Sequence, residues 1–218
     1  MNWSGGKDSA LALYHALRDP TLHVTDLLTS VSAHHGRVAM HGVRVALLEA
    51  QARRIGLPLT QLQLPETPDM ATYEQLMHAA LAPLRARGVL RSVFGDIHLA
   101  ALGLEAVFPL WQRPNAELLA EYLALGFRAI VVCVNEQHLD RSFCGRELNE
   151  AFLRDLPPGV DSCGENGEYH SFVYDAPYFS RPLAVQRGAL VRRSYPAPAG
   201  SGAPEAAFWF QDLLLAET

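Results

Sequence analysis

Apolar residues in the first part of the chain follow two periods, one typical of helices and one typical of strands. Segments with apolar residues three or four positions apart predict helices over residues 9–17, 43–55, 72–87 and 117–125. Shorter apolar or alternating runs predict strands over residues 23–31, 57–64, 89–94, 106–111 and 129–134. Because helices separate the strands, the pattern predicts right-handed β–α–β units and a buried parallel sheet.

The pattern changes after residue 135. It predicts one helix over residues 147–156, a loop rich in glycine and glutamate over 164–169, and short strands over 172–174, 183–187, 189–195 and 207–210. A run of Pro, Ala, Gly and Ser over 196–204 predicts a flexible loop. We therefore predict an α/β domain over residues 1–135 and a smaller α+β domain over residues 136–218, which together form a cleft.

Composition narrows the classes of protein to which the chain can belong. The chain has 218 residues and a net charge of −5, which disfavours nucleic-acid binding through a broad basic face. No apolar run reaches the ~18–20 residues that a membrane-spanning helix needs, and the first residues do not resemble a signal peptide. Cys133, Cys144 and Cys163 form no Cys-x-x-Cys pair, which predicts free thiols in a cytoplasmic protein.

The single lysine among 18 basic residues lies in SGGKDS, residues 4–9, directly before the first predicted helix. We call this segment the glycine-rich loop. Its two glycines let backbone N–H groups approach a phosphate, and a helix N-terminus favours an anion. Lys7 adds a positive charge, Asp8 is a candidate Mg²⁺ ligand, and Asp8 or Ser9 is expected to cap the helix. The spacing of a Walker A motif is absent from the sequence.

This loop resembles the one that defines the PP-loop ATP pyrophosphatases, also called adenine nucleotide alpha hydrolases. The resemblance implies a Rossmann-like (HUP-type) α/β fold, in which a parallel sheet carries helices on both faces. It also implies that ATP is split at the α-phosphate, with Mg²⁺. The residues that would hold the leaving pyrophosphate are Ser4, Gly5, Gly6, Lys7, Asp8 and Ser9.

Further segments resemble the diphthine–ammonia ligase family and occur in that family's order. They are MHGV at residues 40–43, FGDI at 94–97, PLW at 109–111, GREL at 145–148 and GENGEY at 164–169. Members of the family convert the carboxylate of diphthine, on elongation factor 2, into an amide with ATP and ammonia. The resemblance therefore implies an AMP-forming ligase that adenylates a carboxylate before ammonia attacks it.

The resemblance and the predicted fold together indicate further site residues. Glu165 and Glu168 lie three positions apart in a glycine-flanked loop and are candidates to bind ammonium, a diphthine-like cation or a metal. Nucleotide contacts are expected near the carboxyl ends of the strands, where α/β sheets bind ligands. The residues to which we assign these contacts are Ser30, His41, Gly95 and Asp96.

The chain departs from the family pattern in two places. Only Met1, Asn2 and Trp3 precede the glycine-rich loop, so we expect the first strand to be nearly absent, through a shortened N-terminus or a misplaced start. The segment over residues 98–106 is also short for the family. A central strand normally anchors the phosphate loop of this fold, so the first departure bears directly on the predicted site.

Several functional alternatives stay open at this point. The carboxylate substrate is either a protein-bound diphthine-like group or a small molecule. The sequence also leaves open whether the protein forms a homodimer. One alternative is an enzyme of the same superfamily that acts on a tRNA base. The missing paired cysteines and the missing basic face disfavour it. The other is a nucleotide-binding regulator without catalysis.

Overall fold

The computed structural model describes residues 1–38, 42–65, 69–94, 104–195 and 206–216. In the first part of the chain, helices alternate with short strands, as the apolar periodicity predicted. The elements are α1 (Lys7–Arg18), β1 (Leu27–Ser32), β2 (Arg37–Val38), α2 (Val45–Ile55), β3 (Leu59–Leu64), α3 (Met70–Ala86), β4 (Arg91–Val93) and β5 (Glu105–Val107). Strand β2 was not predicted, because two residues are too few to show a period.

The strands of this part pair mainly in parallel. Strand β1 pairs with β3 in parallel over its whole length and with the short β2 in the antiparallel sense. Strand β4 pairs with β5 in parallel. The predicted Rossmann-like α/β class is therefore confirmed for this half of the molecule.

Residues 1–3 lie between these two groups of strands. The Trp3 N–H donates to the Leu28 carbonyl at 2.7 Å, and the Leu28 N–H donates to the Met1 carbonyl at 2.9 Å. On the other side, the Asn2 N–H donates to the Val93 carbonyl at 2.9 Å. The segment occupies the central position between β1 and β4 and leads directly into the glycine-rich loop.

The second part of the chain forms an antiparallel sheet with the strand order β7-β6-β9-β8. Its elements are α4 (Asn115–Ala124), β6 (Arg128–Asn135), a 3-10 helix (Arg141–Phe143), α5 (Glu150–Arg154), β7 (Tyr169–Asp175), β8 (Val185–Tyr195) and β9 (Ala206–Leu215). Among the described helices, none is long and apolar enough to cross a membrane. All three cysteines are buried free thiols, as predicted.

The structure corrects two predictions about these strands. The apolar run over residues 129–134 was placed with the parallel sheet, but β6 pairs antiparallel with β7 and β9. A continuous apolar run indicates a strand that is buried on both faces. Strand β6 and the strands of a parallel sheet are both buried in this way, so the run does not distinguish them. The two strands predicted over 183–187 and 189–195 are one strand, β8, whose register shifts around Gly188. The domain boundary at residue 135 stays a prediction.

The two parts share one hydrophobic core. Leu13 of α1 and Leu47 of α2 belong to the same buried cluster as Val131 of β6 and Phe172 of β7. A backbone hydrogen bond of 2.9 Å runs from the Val173 N–H to the Gly5 carbonyl and joins the antiparallel sheet to the glycine-rich loop. Any site at this loop is therefore built from both parts of the chain.

A cluster of charged side chains around Asp212 ties strand β9 to the segment that follows β1. Arg37 Nη1 lies 2.9 Å from Asp212 Oδ1, and Arg44 Nη2 lies 2.6 Å from Asp212 Oδ2. Burial by itself would raise the pKa of Asp212, but the hydrogen bonds from Arg44 and Arg37 outweigh it and lower that pKa. The Asp212 side chain is 15% exposed, so solvent screens these contacts less than it would at the surface.

Asp212→Asn tests this cluster. Because the folded-state pKa of Asp212 is lowered, its charge stabilises the fold above the ordinary aspartate pKa of about 3.9, and this contribution is lost as pH falls through the folded value. We expect the variant to lose about 1–2 kcal/mol of unfolding free energy at pH 7 and less near pH 3, measured by urea denaturation. The exposed pair Arg91–Glu105 provides the control, and Glu105→Gln should change little. An equal loss at both pH values for Asp212→Asn would contradict the account.

Candidate functional site

The glycine-rich loop connects residues 1–3 to helix α1 through a backbone that only glycine adopts readily. Gly5 has a φ of +78°, and a Cβ at that position would lie 2.7 Å from Gln51 Oε1. The Ser4 hydroxyl accepts a hydrogen bond from the Gly6 N–H at 3.3 Å and contacts the Ser9 hydroxyl at 3.1 Å. The predicted loop is thus a compact turn with its own internal hydrogen bonds.

Helix α1 begins at Lys7, and Gly6 occupies the N-cap position without a side-chain capping bond. The expectation that Asp8 or Ser9 caps the helix is therefore wrong. The helix begins before both residues, and the Ser9 hydroxyl instead donates back to the Gly6 carbonyl at 3.0 Å. The start of a helix orients its N–H groups as in known phosphate sites, and here those of Gly6 and Lys7 donate to the hydroxyls of Ser4 and Ser171.

Lys7 lies at the centre of an ion cluster. Its Nζ is 2.5 Å from Asp8 Oδ1 and 3.2 Å from Glu165 Oε1, although the residue is only 6% exposed. Burial opposes the charged form, but the Asp8 and Glu165 carboxylates outweigh burial and raise the pKa of Lys7 above its ordinary value. Its backbone N–H donates to the Ser171 hydroxyl of β7 at 3.2 Å. Lys7 is therefore a fixed, charged ammonium group held between the two parts of the chain.

Glu165 reaches this cluster from the loop before β7. Burial is the main cause that raises its pKa above the ordinary glutamate value; Asp8 and Asp161 act in the same direction, and Lys7 opposes them. Its side chain is 51% exposed, so one face of the carboxylate is open to solvent. The structure thus brings together Lys7, Asp8 and Glu165, which the sequence analysis named as separate candidates.

Glu168 faces its own loop and not Lys7. It is 1% exposed and accepts hydrogen bonds from the Asp161 N–H at 3.0 Å, the Asn166 N–H at 2.9 Å and Asn166 Nδ2 at 3.1 Å. Burial raises its pKa, but these hydrogen bonds outweigh burial and lower the pKa below the usual range. The carboxylate therefore fixes the shape of the loop that presents Glu165.

The structure says less about the residues that were predicted to contact the nucleotide outside the glycine-rich loop. Ser30 lies in β1 and is half-buried. His41, Gly95 and Asp96 fall outside the described residues. Within the described ranges, no group of three or more His, Cys, Asp or Glu side chains could hold a metal.

The structure also adds two polar residues that the sequence analysis did not assign to the site. Ser171 accepts from the Lys7 N–H, and the Gln51 side chain contacts the Gly5 carbonyl at 3.1 Å. Gln51 carries a signal that could have identified it. It lies four positions after Leu47, so it is a polar residue on the apolar face of the predicted helix. Ser171 carries no comparable signal.

A cavity of about 370 Å³ lies between the β1–β2 hairpin and the antiparallel sheet. Its walls include the aromatic rings of Tyr195, Phe208 and Phe210, together with Arg37 and His170. His170 directly precedes Ser171 on β7, and burial, with a smaller contribution from Lys7, lowers its pKa. The cavity is of a size that accommodates a small organic group, and Lys7, Asp8 and Glu165 are not among its lining residues.

Comparison with known proteins finds two family models that match the chain. The N-terminal domain of diphthamide synthase matches residues 1–101, and the C-terminal domain of diphthamide synthase matches residues 115–196. The two matches follow each other in order and together account for most of the chain.

Three curated proteins illustrate the similarity. The diphthine–ammonia ligase of Bos taurus is 34% identical over 119 residues, which are 52% of this chain and 43% of that protein. The Danio rerio ligase is 34% identical over 103 residues, 44% of this chain and 39% of that protein. The Mus musculus ligase is 36% identical over 98 residues, 43% of this chain and 37% of that protein. The chain thus spans about two fifths of the length of these relatives.

Glu168→Gln tests the assignment of this carboxylate to loop structure. The amide would place an N–H₂ group against backbone N–H donors, so we expect a loss of about 1–3 kcal/mol in unfolding free energy. Glu150→Gln, in the first turn of α5, is the exposed control and should change stability little. Urea denaturation at pH 7 measures both variants. Unchanged stability in Glu168→Gln would show that the hydrogen bonds do not hold the loop.

Proposed function

This chain belongs to the diphthamide synthase family, and on that premise we propose that it is an ATP-dependent ligase that forms an amide from a carboxylate and ammonia. The observation that carries the proposal is the position of Lys7. The only lysine of the chain lies at an uncapped helix start, in contact with a glutamate from the other part of the chain.

The chemistry follows from the low reactivity of a carboxylate towards amines at neutral pH. A carboxylate oxygen attacks the α-phosphorus of ATP, the bond to the β-phosphate oxygen breaks, and pyrophosphate leaves. The acyl-adenylate that results has a good leaving group. Ammonia then attacks the acyl carbon, AMP leaves, and the nitrogen loses a proton to give the amide. The protein must therefore stabilise negative charge on pyrophosphate and supply ammonia in its neutral form.

The glycine-rich loop is proposed to supply the first of these functions, stabilisation of the negative charge on pyrophosphate. Its backbone N–H groups and the start of α1 favour the pyrophosphate anion, and Lys7 adds a charge within the same loop. Asp8 would hold Mg²⁺ against the phosphates, where the ion neutralises part of their charge. Ser4 and Ser9 line the turn and keep its shape through their mutual contact at 3.1 Å.

We assign to Glu165 the second function, the supply of ammonia in its neutral form. Its raised pKa makes the carboxylate a better base than an ordinary surface glutamate, and the open face of its side chain is accessible to ammonium from solvent. In this proposal Glu165 accepts a proton from ammonium, and the neutral amine attacks the acyl-adenylate. Glu168 contributes by fixing the loop that carries Glu165.

The acceptor is proposed to be a diphthine-like carboxylate. The relatives are named for diphthine and ammonia, and the cavity between the β1–β2 hairpin and the antiparallel sheet is of a size for a modified side chain. Its aromatic wall, formed by Tyr195, Phe208 and Phe210, suits a flat or quaternary ammonium group. A small-molecule carboxylate as the only substrate would contradict this part of the proposal.

Lys7→Ala tests the role of the glycine-rich loop. Loss of the ammonium group should reduce release of pyrophosphate by at least about 100-fold, because the charge on the leaving group is no longer stabilised. A coupled phosphate assay measures release in the presence of ATP, ammonium and acceptor, and circular dichroism verifies the fold. Arg141→Ala, an exposed cation at the 3-10 helix, is the control and should keep full activity. Full pyrophosphate release by Lys7→Ala would refute the loop assignment.

Glu165→Gln tests the base. We expect amide formation to fall by about 100- to 10,000-fold while ATP binding persists. In the unsubstituted protein, the acid limb of the pH–rate profile should lie above the ordinary glutamate pKa, because the base must be ionised and its pKa is raised. This limb should be absent from the residual activity of the variant. The exposed Glu117→Gln is the control, and an unchanged pH profile in Glu165→Gln would contradict the assignment.

A further inference from the structure

We propose that Gln51 is the positioning residue that sets the glycine-rich loop in its pyrophosphate-binding conformation. The inference rests on the proposed function, because it concerns how the loop is prepared for its ligand. Gln51 lies on helix α2, outside the loop, and is completely buried. It acts on the ligand only through the backbone of Gly5.

The side-chain amide of Gln51 makes hydrogen bonds to three partners. Its Nε2 donates to the Gly5 carbonyl at 3.1 Å and to the Val173 carbonyl at 2.6 Å. Its Oε1 accepts from Trp3 Nε1 at 2.9 Å. The amide therefore joins residues 1–3, the glycine-rich loop and strand β7.

These partners require glutamine. Two carbonyls need two donors and the indole N–H needs an acceptor, which is the complement of a carboxamide in one orientation. Glutamate would place a carboxylate oxygen against two carbonyls, and an apolar residue would leave the partners unsatisfied. Burial of an amide on an otherwise apolar helix face costs free energy unless its hydrogen bonds are made. The three bonds are therefore specific and not incidental to packing.

The effect on the loop follows from peptide geometry. The Gly5 carbonyl accepts both from Gln51 Nε2 and from the Val173 N–H at 2.9 Å, so its direction is fixed from two sides. Because a trans peptide is planar, the N–H of Gly6 must point to the opposite side, towards the interior of the loop. Here it lies 3.3 Å from Ser4 Oγ.

Two consecutive glycines cannot hold this arrangement by themselves. Gly5 and Gly6 lack the side chains that limit φ and ψ, so a loop built from them would sample many conformations. Contacts from outside the loop must select the one whose N–H groups converge on a phosphate. Gln51 supplies that selection before the ligand arrives, which lowers the entropic cost of binding.

Gln51→Met, which keeps the length of the side chain, is the direct test. Titration calorimetry with Mg²⁺ measures the affinity for inorganic pyrophosphate and, separately, for AMP, which lacks the phosphates that the loop binds. We expect pyrophosphate to bind about 10- to 100-fold more weakly, while the affinity for AMP stays within about twofold of the unsubstituted protein. A general loss of structure would weaken both ligands, so the ratio of the two affinities identifies positioning. Gln61→Met, at a half-buried glutamine of β3 that donates to Glu49 at 2.9 Å, is the control.

A second variant keeps the test decisive if Gln51→Met does not fold. Trp3→Phe removes the indole N–H that orients the amide, together with part of the buried ring. Since the loss of ring volume acts on both ligands, the ratio of pyrophosphate to AMP affinity reports the lost hydrogen bond and should fall in the same direction by a smaller factor. An unchanged ratio in the folded variants would overturn the inference while leaving the proposed function intact. Failure of the unsubstituted protein to bind pyrophosphate would overturn both.

Discussion

The hydrogen bonds to the Gly5 carbonyl are the contacts on which the rest of the site depends. One comes from the backbone of β7 at 2.9 Å and one from the Gln51 amide at 3.1 Å. They fix the glycine-rich loop against a sheet that belongs to the other part of the chain. Because the same sheet carries Ser171, the start of helix α1 is fixed to it as well. The glycine-rich loop, the loop that carries Glu165 and the cavity lined by Tyr195, Phe208 and Phe210 are therefore all attached to the same antiparallel sheet.

Because the glycine-rich loop and the loop that carries Glu165 are both attached to this sheet, the charged groups of Lys7, Asp8 and Glu165 lie close together. Lys7 is buried and carries two carboxylate neighbours, one from its own helix and one from the loop before β7. The charge of Lys7 persists because those carboxylates outweigh the cost of burial. Glu165 experiences the opposite balance, in which burial and nearby carboxylates raise its pKa in spite of Lys7. The contact between Lys7 and Glu165 thus connects the group proposed to bind pyrophosphate to the group proposed to deprotonate ammonium.

The local parts of this arrangement were predictable from the sequence. Helix α2 shows a clear apolar period and ends at Gly56, whose φ of +81° is the left-handed conformation expected there. The glycine-rich loop and its lysine were identified because their chemistry is local. The antiparallel pairing of β6 was missed, since a continuous apolar run does not encode the direction of its neighbours. The contact between Lys7 and Glu165 joins residues 158 positions apart, so no periodicity reports it, and the two residues were named as separate candidates. The difference between Glu165 and Glu168 likewise depends on which backbone N–H groups surround each carboxylate.

In the proposed function, both parts of the chain cooperate to adenylate a carboxylate and then amidate it. Transfer of a heavy oxygen isotope tests this claim most directly. A diphthine-bearing protein, labelled in the carboxylate oxygens of its diphthine, serves as the proposed acceptor and is incubated with the protein, ATP and ammonium. The products are analysed by mass spectrometry. If the carboxylate is adenylated, AMP gains one labelled oxygen and pyrophosphate gains none. Formation of ADP and phosphate, or of AMP without the label, would contradict the proposed function.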